Sequence, residues 1–328
     1  MRPMKHRRLG RTNFEVSEIG YGAWGIGGTM WIGASDNESL AALRRAIELG
    51  VNFIDTALVY GDGHSEELVG QVVRAAPRKV YVATKVPPKN RLWPAPAGVG
   101  VEEAFPRDYV VRCAEQSLKN LGFDVIDLLQ LHVWNQEWTE QDEWRCAFED
   151  LRTQGKVRAF GVSLNNHDPD SGVALIETGM IDAVQVIYNV FDQSPERRLF
   201  PVCLNHDVGV LARVPLDEGA LTGRINEKTV FPEGDFRNSY FRGERKRQVA
   251  ERVAALVSDL GLEDAHDLPE VALRFCLSHP AVSTVIPGMR STSSVEANAL
   301  ASNQGPLPAP TLGVLRRHGW DRDFYRRD

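Results

Sequence analysis

The chain lacks clustered cysteines. Its four, Cys113, Cys146, Cys203 and Cys276, stand far apart and show no C-x-x-C spacing. Three of them, Cys113, Cys203 and Cys276, fall in predicted helices beside apolar residues, where a reduced thiol behaves as a small hydrophobe. A reducing compartment is expected. No run of about 18 apolar residues occurs, and the amino terminus has no apolar leader core, so a soluble, cytoplasmic protein without a membrane span is expected. Positive charge is not in excess either: 38 Lys and Arg face 44 Asp and Glu, a net charge of −6. That argues against a partner such as nucleic acid or an anionic membrane. The short basic run 5–8, followed by Arg11, reads as a solvated edge. The histidines at 64, 132, 167, 206, 266 and 279 form no H-x-x-x-H or H-E-x-x-H pattern, so no metal site is expected. Finally, no G-x-G-x-x-G turn leads from the first strand into a helix, because Gly25-Ile26-Gly27-Gly28 runs on into Met30-Trp31. A Rossmann domain is disfavoured.

What the chain does contain is ordinary globular material: 328 residues, 43% hydrophobic and 25% charged. Weak alternation over 6–19, around Gly10 and Asn13, predicts a short hairpin ahead of a first buried strand at 18–22. Further strands are predicted at 52–55, 80–84, 125–131, 157–162, 183–188, 209–212 and 282–286. Helices are predicted at 35–50, 65–75, 107–121, 141–154, 169–178, 195–206, 240–260, 267–279 and 291–301. Short apolar strands alternating evenly with helices favour an α/β fold, a parallel (β/α)8 TIM barrel, over an open doubly wound sheet. No linker divides the core, so 1–328 is read as one domain. The loops 24–35, 86–106 and 216–240 are long. With Trp24, Trp31, Trp93, Phe231, Phe236, Tyr240 and Phe241, and Trp134 and Trp138 after strand four, they suggest an apolar-walled small-molecule pocket.

The segment 51–61 runs from an apolar strand to Asp55 and on to Tyr60 in a glycine turn. Taken alone it is either a surface loop or half of a catalytic site. The other strand tips supply Lys85, His132, Ser163 and Asn165, then Gln185 and Tyr188. Four titratable types at neighbouring tips are hard to assign to packing, and a buried Asp55 needs a cation such as Lys85. A Tyr60 hydroxyl beside that ammonium would have its pKa lowered and could donate a proton. His132 could orient a carbonyl oxygen.

Along nearly its whole length the sequence resembles the aldo-keto reductase superfamily. The markers are 52–57 with Tyr60-Gly61, Thr84-Lys85, Leu131-His132, Gly161-Val162-Ser163, Gln185 with Tyr188-Asn189, 219–223 and Ile286-Pro287-Gly288. The resemblance implies reduction of an aldehyde or ketone, or the reverse oxidation of an alcohol, with a nicotinamide cofactor extended across the barrel mouth. It matches Asp55, Tyr60, Lys85 and His132 to the catalytic tetrad, and Trp24, Tyr60, Trp93, His132 and Trp134 to the substrate pocket. It implies cofactor contacts from Gly22, Ala23, Trp24 and Asp55 and from Ser163 and Gln185 to the carboxamide. Asn165 stands in for the usual Asn, since Leu164 follows Ser163 directly. Arg213 occupies the place of a stacking aromatic, with Pro215, Leu216 and Gly219 following; a salt bridge from Arg213 to Asp217 or Glu218 is its competing reading. The adenosine end is matched to Gly288, Arg290, Ser294 and Asn298, and Arg290 favours NADP(H) by its fork, with NAD(H) use open. Two rival functions remain at this point: a cofactor-binding regulatory subunit with little turnover, and a lyase using Lys85 as a Schiff-base nucleophile.

Overall fold

In the computed structural model, which describes residues 3–326, the chain opens with the expected hairpin. Strands β1 (His6–Arg8) and β2 (Glu15–Ser17) pair antiparallel, with His6 opposite Ser17. There follow β3 (Tyr21–Gly22), α1 (Asp36–Glu48), β4 (Phe53–Asp55), α2 (His64–Arg74), β5 (Tyr81–Val86) and α3 (Val101–Ala104). Next come α4 (Arg107–Leu121), β6 (Ile126–Leu131), α5 (Glu143–Thr153), β7 (Val157–Ser163), α6 (Val173–Glu177) and β8 (Ala183–Ile187). The chain continues through α7 (Leu199–Asn205), β9 (Gly209–Arg213), α8 (Arg237–Tyr240), α9 (Arg245–Leu260) and α10 (Leu268–Leu277). It ends with β10 (Val282–Val285), α11 (Thr292–Gln304) and α12 (Ala309–Arg316). No helix among the described residues is long and apolar enough to cross a membrane.

Strands β3 to β10 form one parallel, eight-stranded sheet in chain order. It curls, and hydrogen bonds link its first and last segments. The Val285 N–H donates to Glu18 O at 2.9 Å, Gly20 N–H to Val285 O at 2.8 Å, and Gly22 N–H to Pro287 O at 3.0 Å. A Cβ on Gly22 would stand 2.7 Å from Ile286 O, so only glycine allows this approach. The α/β, TIM-barrel-like architecture with an amino-terminal hairpin is the one expected.

Residues two apart on a strand share a face. Phe53, Ala83, Leu128, Ala159, Ala183, Leu211 and Ile286 form an inner apolar cluster, joined by Leu9 and Val16 of the hairpin segment. Two residues further along stand Asp55, Lys85, Gln130, Gly161, Gln185 and Arg213 on their strands, and Gly288 just past β10. An apolar layer therefore gives way to a polar one at the carboxyl end of the sheet, and the switch costs one pleat. The helices cover the outer face through a separate, larger apolar core.

Some boundaries differ from expectation. The first strand shrinks to Tyr21–Gly22, with Ile19 making only an isolated bridge to Val285. Strand β5 ends at Val86, so Lys85 lies inside the strand and not beyond it. The helix expected over 195–206 splits into a 3-10 turn, Ser194–Glu196, and α7, with Pro195 in the turn. Gly243, at φ +56°, separates α8 from α9, which starts later than expected. Helix α12 is additional to the helices expected; it opens after Pro308 and buries Leu315.

Candidate active site

Lys85 is completely buried, and its ammonium has three hydrogens to place. It donates to Asp55 Oδ2 at 2.6 Å, to Thr56 O at 2.7 Å and to Tyr60 Oη at 3.3 Å. All three donors are used, and all three acceptors come from 55–60. The other Asp55 oxygen, Oδ1, accepts from Gln185 Nε2 at 2.8 Å and from Gln130 Nε2 at 3.3 Å. The buried carboxylate and the buried cation thus compensate one another, as burial requires. Asp55 and its neighbours hold Lys85 as an ammonium with its pKa raised, against the opposing effect of burial. A Schiff-base nucleophile needs the free amine, so this geometry speaks against the lyase reading.

Tyr60 accepts from Lys85, which leaves its own proton free to point away. The pKa of its hydroxyl is held above the ordinary tyrosine value by burial, with Asp55 adding to the rise and Lys85 and Arg213 opposing it. This corrects the sequence expectation of a lowered value: Lys85 pulls in the expected direction, but burial outweighs it. Tyr60 is therefore a protonated donor at neutral pH. The pKa of His132 is pushed well below its ordinary value by burial, by Lys85 and by Arg213, so its ring is neutral. The Tyr60 and His132 rings meet edge to face at 5.6 Å.

Aromatic rings surround this pair. Trp93 meets His132 edge-on at 5.8 Å and is 45% exposed, as a mouth residue would be. Trp24 lies 6.3 Å from Tyr60, and packs against Trp31 at 5.8 Å and Phe236 at 5.3 Å. Phe236 N–H donates to Met30 O, and Ile32 N–H to Asp235 Oδ2, tying loop 24–35 to loop 216–240. Trp134, expected in the pocket, has no accessible surface and packs edge-on against Trp138 and Trp144. Its ring cannot touch a ligand in this arrangement.

The residues matched to cofactor contacts fall into two groups. Gly22 and Ala23 are buried, Gly22 at the seam and Ala23 with its N–H donating to Asp55 O of β4 at 2.9 Å. Ser163 closes β7 opposite Gln185. Leu216 O accepts from the N–H groups of Gly219 and Leu221, and buried Pro215 precedes it in a tight turn. Gly288 is exposed, with nothing within 4 Å of where a Cβ would stand. Asn298 is buried in α11, and Ser294 Oγ shares a hydrogen bond with Ser291, the N-cap of that helix. Others are already engaged within the protein. Asn165 binds both backbone groups of Ala95, accepting at 3.1 Å and donating at 3.3 Å, so it clamps loop 86–106 rather than offering a free amide. Gln185 spends its amide nitrogen on Asp55. Arg290 donates to Ile32 O and faces the Trp31 ring at 5.5 Å. Arg213 donates to Leu164 O and Asn166 Oδ1, not to Asp217 or Glu218; Asp217 accepts from Tyr240 and from Arg322 of the tail, and Glu218 from Tyr325 of the tail. Its Nε is buried with no hydrogen-bond partner among the described residues.

Gln130 also belongs to this cluster, and no motif singles it out. The available signal was its position two residues before His132, a lone amide in an apolar strand.

A curled, TIM-barrel-like parallel sheet thus carries a buried Asp–Lys pair, a protonated Tyr and a neutral His at its carboxyl end. Residues 18–318 match the Aldo/keto reductase family, and the chain belongs to it. An NADH-specific methylglyoxal reductase of Escherichia coli (strain K12) is 30% identical over 314 residues, covering 92% of this chain and 94% of its own. The holo form of the aldo-keto reductase AKR11C1 from Bacillus halodurans matches with a TM-score of 0.75 at 28% identity, over 96% of each chain. An aldo-keto reductase from Klebsiella pneumoniae in complex with NADPH matches with a TM-score of 0.68 at 27% identity, over 99% of each.

Proposed function

We propose that the protein is a single-domain NADP(H)-dependent carbonyl reductase, working reversibly on a small aldehyde or ketone. The observation that carries this reading is the Lys85 ammonium, bonded at once to Asp55, Thr56 O and Tyr60. We take the sheet as a closed (β/α)8 barrel, on the hydrogen bonds between its first and last segments, with the long loops forming its mouth. The site's chemistry suits an extended nicotinamide cofactor: Ser163 at the end of β7, Arg213 with a buried Nε lacking a partner among the described residues, and open backbone at Gly288 for the adenosine end. When bound, the reduced cofactor supplies hydride to the carbonyl carbon.

The chain's own part is to position the substrate and move one proton. Neutral His132 donates a hydrogen bond to the carbonyl oxygen and sets its direction. Tyr60 gives its proton to that oxygen as negative charge develops there, and Lys85 stabilises the phenolate that remains. Asp55 holds Lys85 in place. Trp24, Trp93 and Phe236 wall the site and keep water from it. NADP(H) is favoured over NAD(H) by the guanidinium of Arg290 beside the helix that Ser291 caps. The Klebsiella structure with NADPH supports that preference, while the NADH-specific relative shows that NADH use occurs among similar proteins.

The test has two arms. NADPH and NADH are titrated by fluorescence, and the tighter one is then used with a panel of carbonyl compounds. Tyr60→Phe should keep cofactor binding and lose about 10²- to 10⁴-fold in kcat. Wild-type turnover in Tyr60→Phe would sink the mechanism. Absence of steady-state cofactor consumption across the panel would favour a regulatory subunit instead.

A further inference from the structure

Asp55 is held from both sides, and one of its partners has no task in the reaction as described. Gln130 is fully buried in β6, directly across from Lys85 on β5. Its Nε2 donates to Asp55 Oδ1 at 3.3 Å, and its Oε1 accepts from Gln185 Nε2 at 3.5 Å. On the other flank, Gly161 pairs with Gln130, and a Cβ there would stand 3.4 Å from the Gln130 Cγ and 2.5 Å from Ala183 O. The barrel interior thus makes room for this amide. Its neighbours Leu129 and Leu131 are apolar and face the helices, and Leu128 lies one pleat below. An amide in such surroundings is costly unless both its ends are bonded, and here its bonds run only to the site.

We propose that Gln130 is a positioning residue: it fixes Asp55 through Oδ1 and so sets how much of the Lys85 charge reaches Tyr60. This rests on the reading of Tyr60 as the proton donor. Two amide donors on Oδ1 draw the carboxylate's charge away from Oδ2, the atom that faces Lys85. Less of the ammonium is then neutralised, and more of its field falls on the Tyr60 oxygen. The other charged groups around this cluster are Arg213, which faces Tyr60 and His132, and Glu66 of α2. Glu66 is tied to Thr84 and Asn120, and His132 is neutral, so neither replaces Gln130 on Asp55.

The test uses the full-length protein with Gln130→Met, Gln130→Glu, Asp55→Asn and the double variant Gln130→Met with Asp55→Asn. Gln130→Met should lower kcat for carbonyl reduction roughly tenfold with KM nearly unchanged, and move the alkaline limb up by about one pH unit. In the Asp55→Asn background the same change should cost little more, because its effect passes through Asp55. Gln130→Glu should approach wild-type kcat at acid pH, where the introduced carboxyl can still donate. It should lose activity as that group ionises. Additive losses, or an unmoved limb in whichever of the two Gln130 variants folds, would overturn the proposal, whatever happens to the melting temperature. The Tyr60 phenolate can also be titrated by ultraviolet difference against matching Tyr60→Phe proteins. If carbonyl turnover is absent but this titration moves with Gln130, the reductase reading fails and the positioning role stands. If turnover is present and the titration does not move, only the positioning role fails.

Discussion

Lys85 shows how much one side chain can be made to hold. Its three N–H groups meet a carboxylate, a backbone carbonyl and a phenol, and it has no accessible surface. Replacing it by methionine would leave Asp55 buried with two amides and no cation. We expect Lys85→Met to lose about 3–5 kcal/mol of stability, the usual cost of stranding one member of a buried pair. Adding Asp55→Asn should restore much of it. Urea unfolding of the three proteins measures both effects, and a loss unrelieved by the second substitution would assign the cost to packing. Lys85, Asp55, Tyr60 and His132 were all legible in the sequence because each is a polar residue at or just beyond an apolar strand. Their protonation was less so. The direction of the Tyr60 shift depends on burial against a nearby cation, and burial is not written in a motif.

Among the elements, the loop after β9 and the tail after α12 are locked together. Asp217 and Glu218 both take positive φ, at +50° and +54°, a strained conformation for side chains of this size. The tail secures them: Arg322 pairs with Asp217 and donates to Tyr240 Oη, and Tyr325 Oη donates to Glu218 Oε1 at 2.6 Å. Tyr325 also stacks near Phe236, at 6.1 Å, which in turn packs against Trp24. The tail therefore packs on the loop beside the site. Burial, with Asp217 adding to it, pushes the Glu218 carboxyl up to about 7. The folded state binds this proton more tightly than the unfolded chain does. Its contribution is complete below the ordinary carboxylate range and is lost as pH rises through about 7. Glu218→Gln keeps an acceptor for Tyr325 and removes the titration. We expect it to melt higher than the wild type by roughly 2–5 °C at alkaline pH, and about equally at acid pH. A lower melting temperature at alkaline pH would mean that the ionised carboxylate stabilises the loop.

At the scale of the molecule, the sheet depends on joining its first strand to its last. Arg7 in β1 bridges that seam from outside, donating to Val282 O at 2.9 Å, to Leu277 O at 2.7 Å and to Glu18 Oε1 at 2.7 Å. Glu18 in turn accepts from Ser302 of α11. The hairpin thus ties the amino terminus to the last repeat as well as filling the inner core with Leu9 and Val16. Arg7→Ala should cost about 1–3 kcal/mol in urea unfolding, since it strips buried carbonyls of a charged donor. A loss within about 0.5 kcal/mol, the range of ordinary surface changes, would remove that role. Arg7 thus departs from the solvated edge expected for the basic run at 5–8, because its guanidinium is bonded into the seam.

The alternation of strands and helices, the family, and which polar residues end which strands were all legible in the sequence. Those properties follow from periodicity and residue type, which are local. How these residues partner is set in three dimensions. Asn165 holds Ala95, Arg213 holds the turn after β7, Trp134 is core, and Gln130 reaches Asp55 across the interior. Each of these pairings joins segments distant in the chain, and a curled sheet brings them together only when every strand is in register. A period of two says which face a residue occupies, but not which neighbour it meets there.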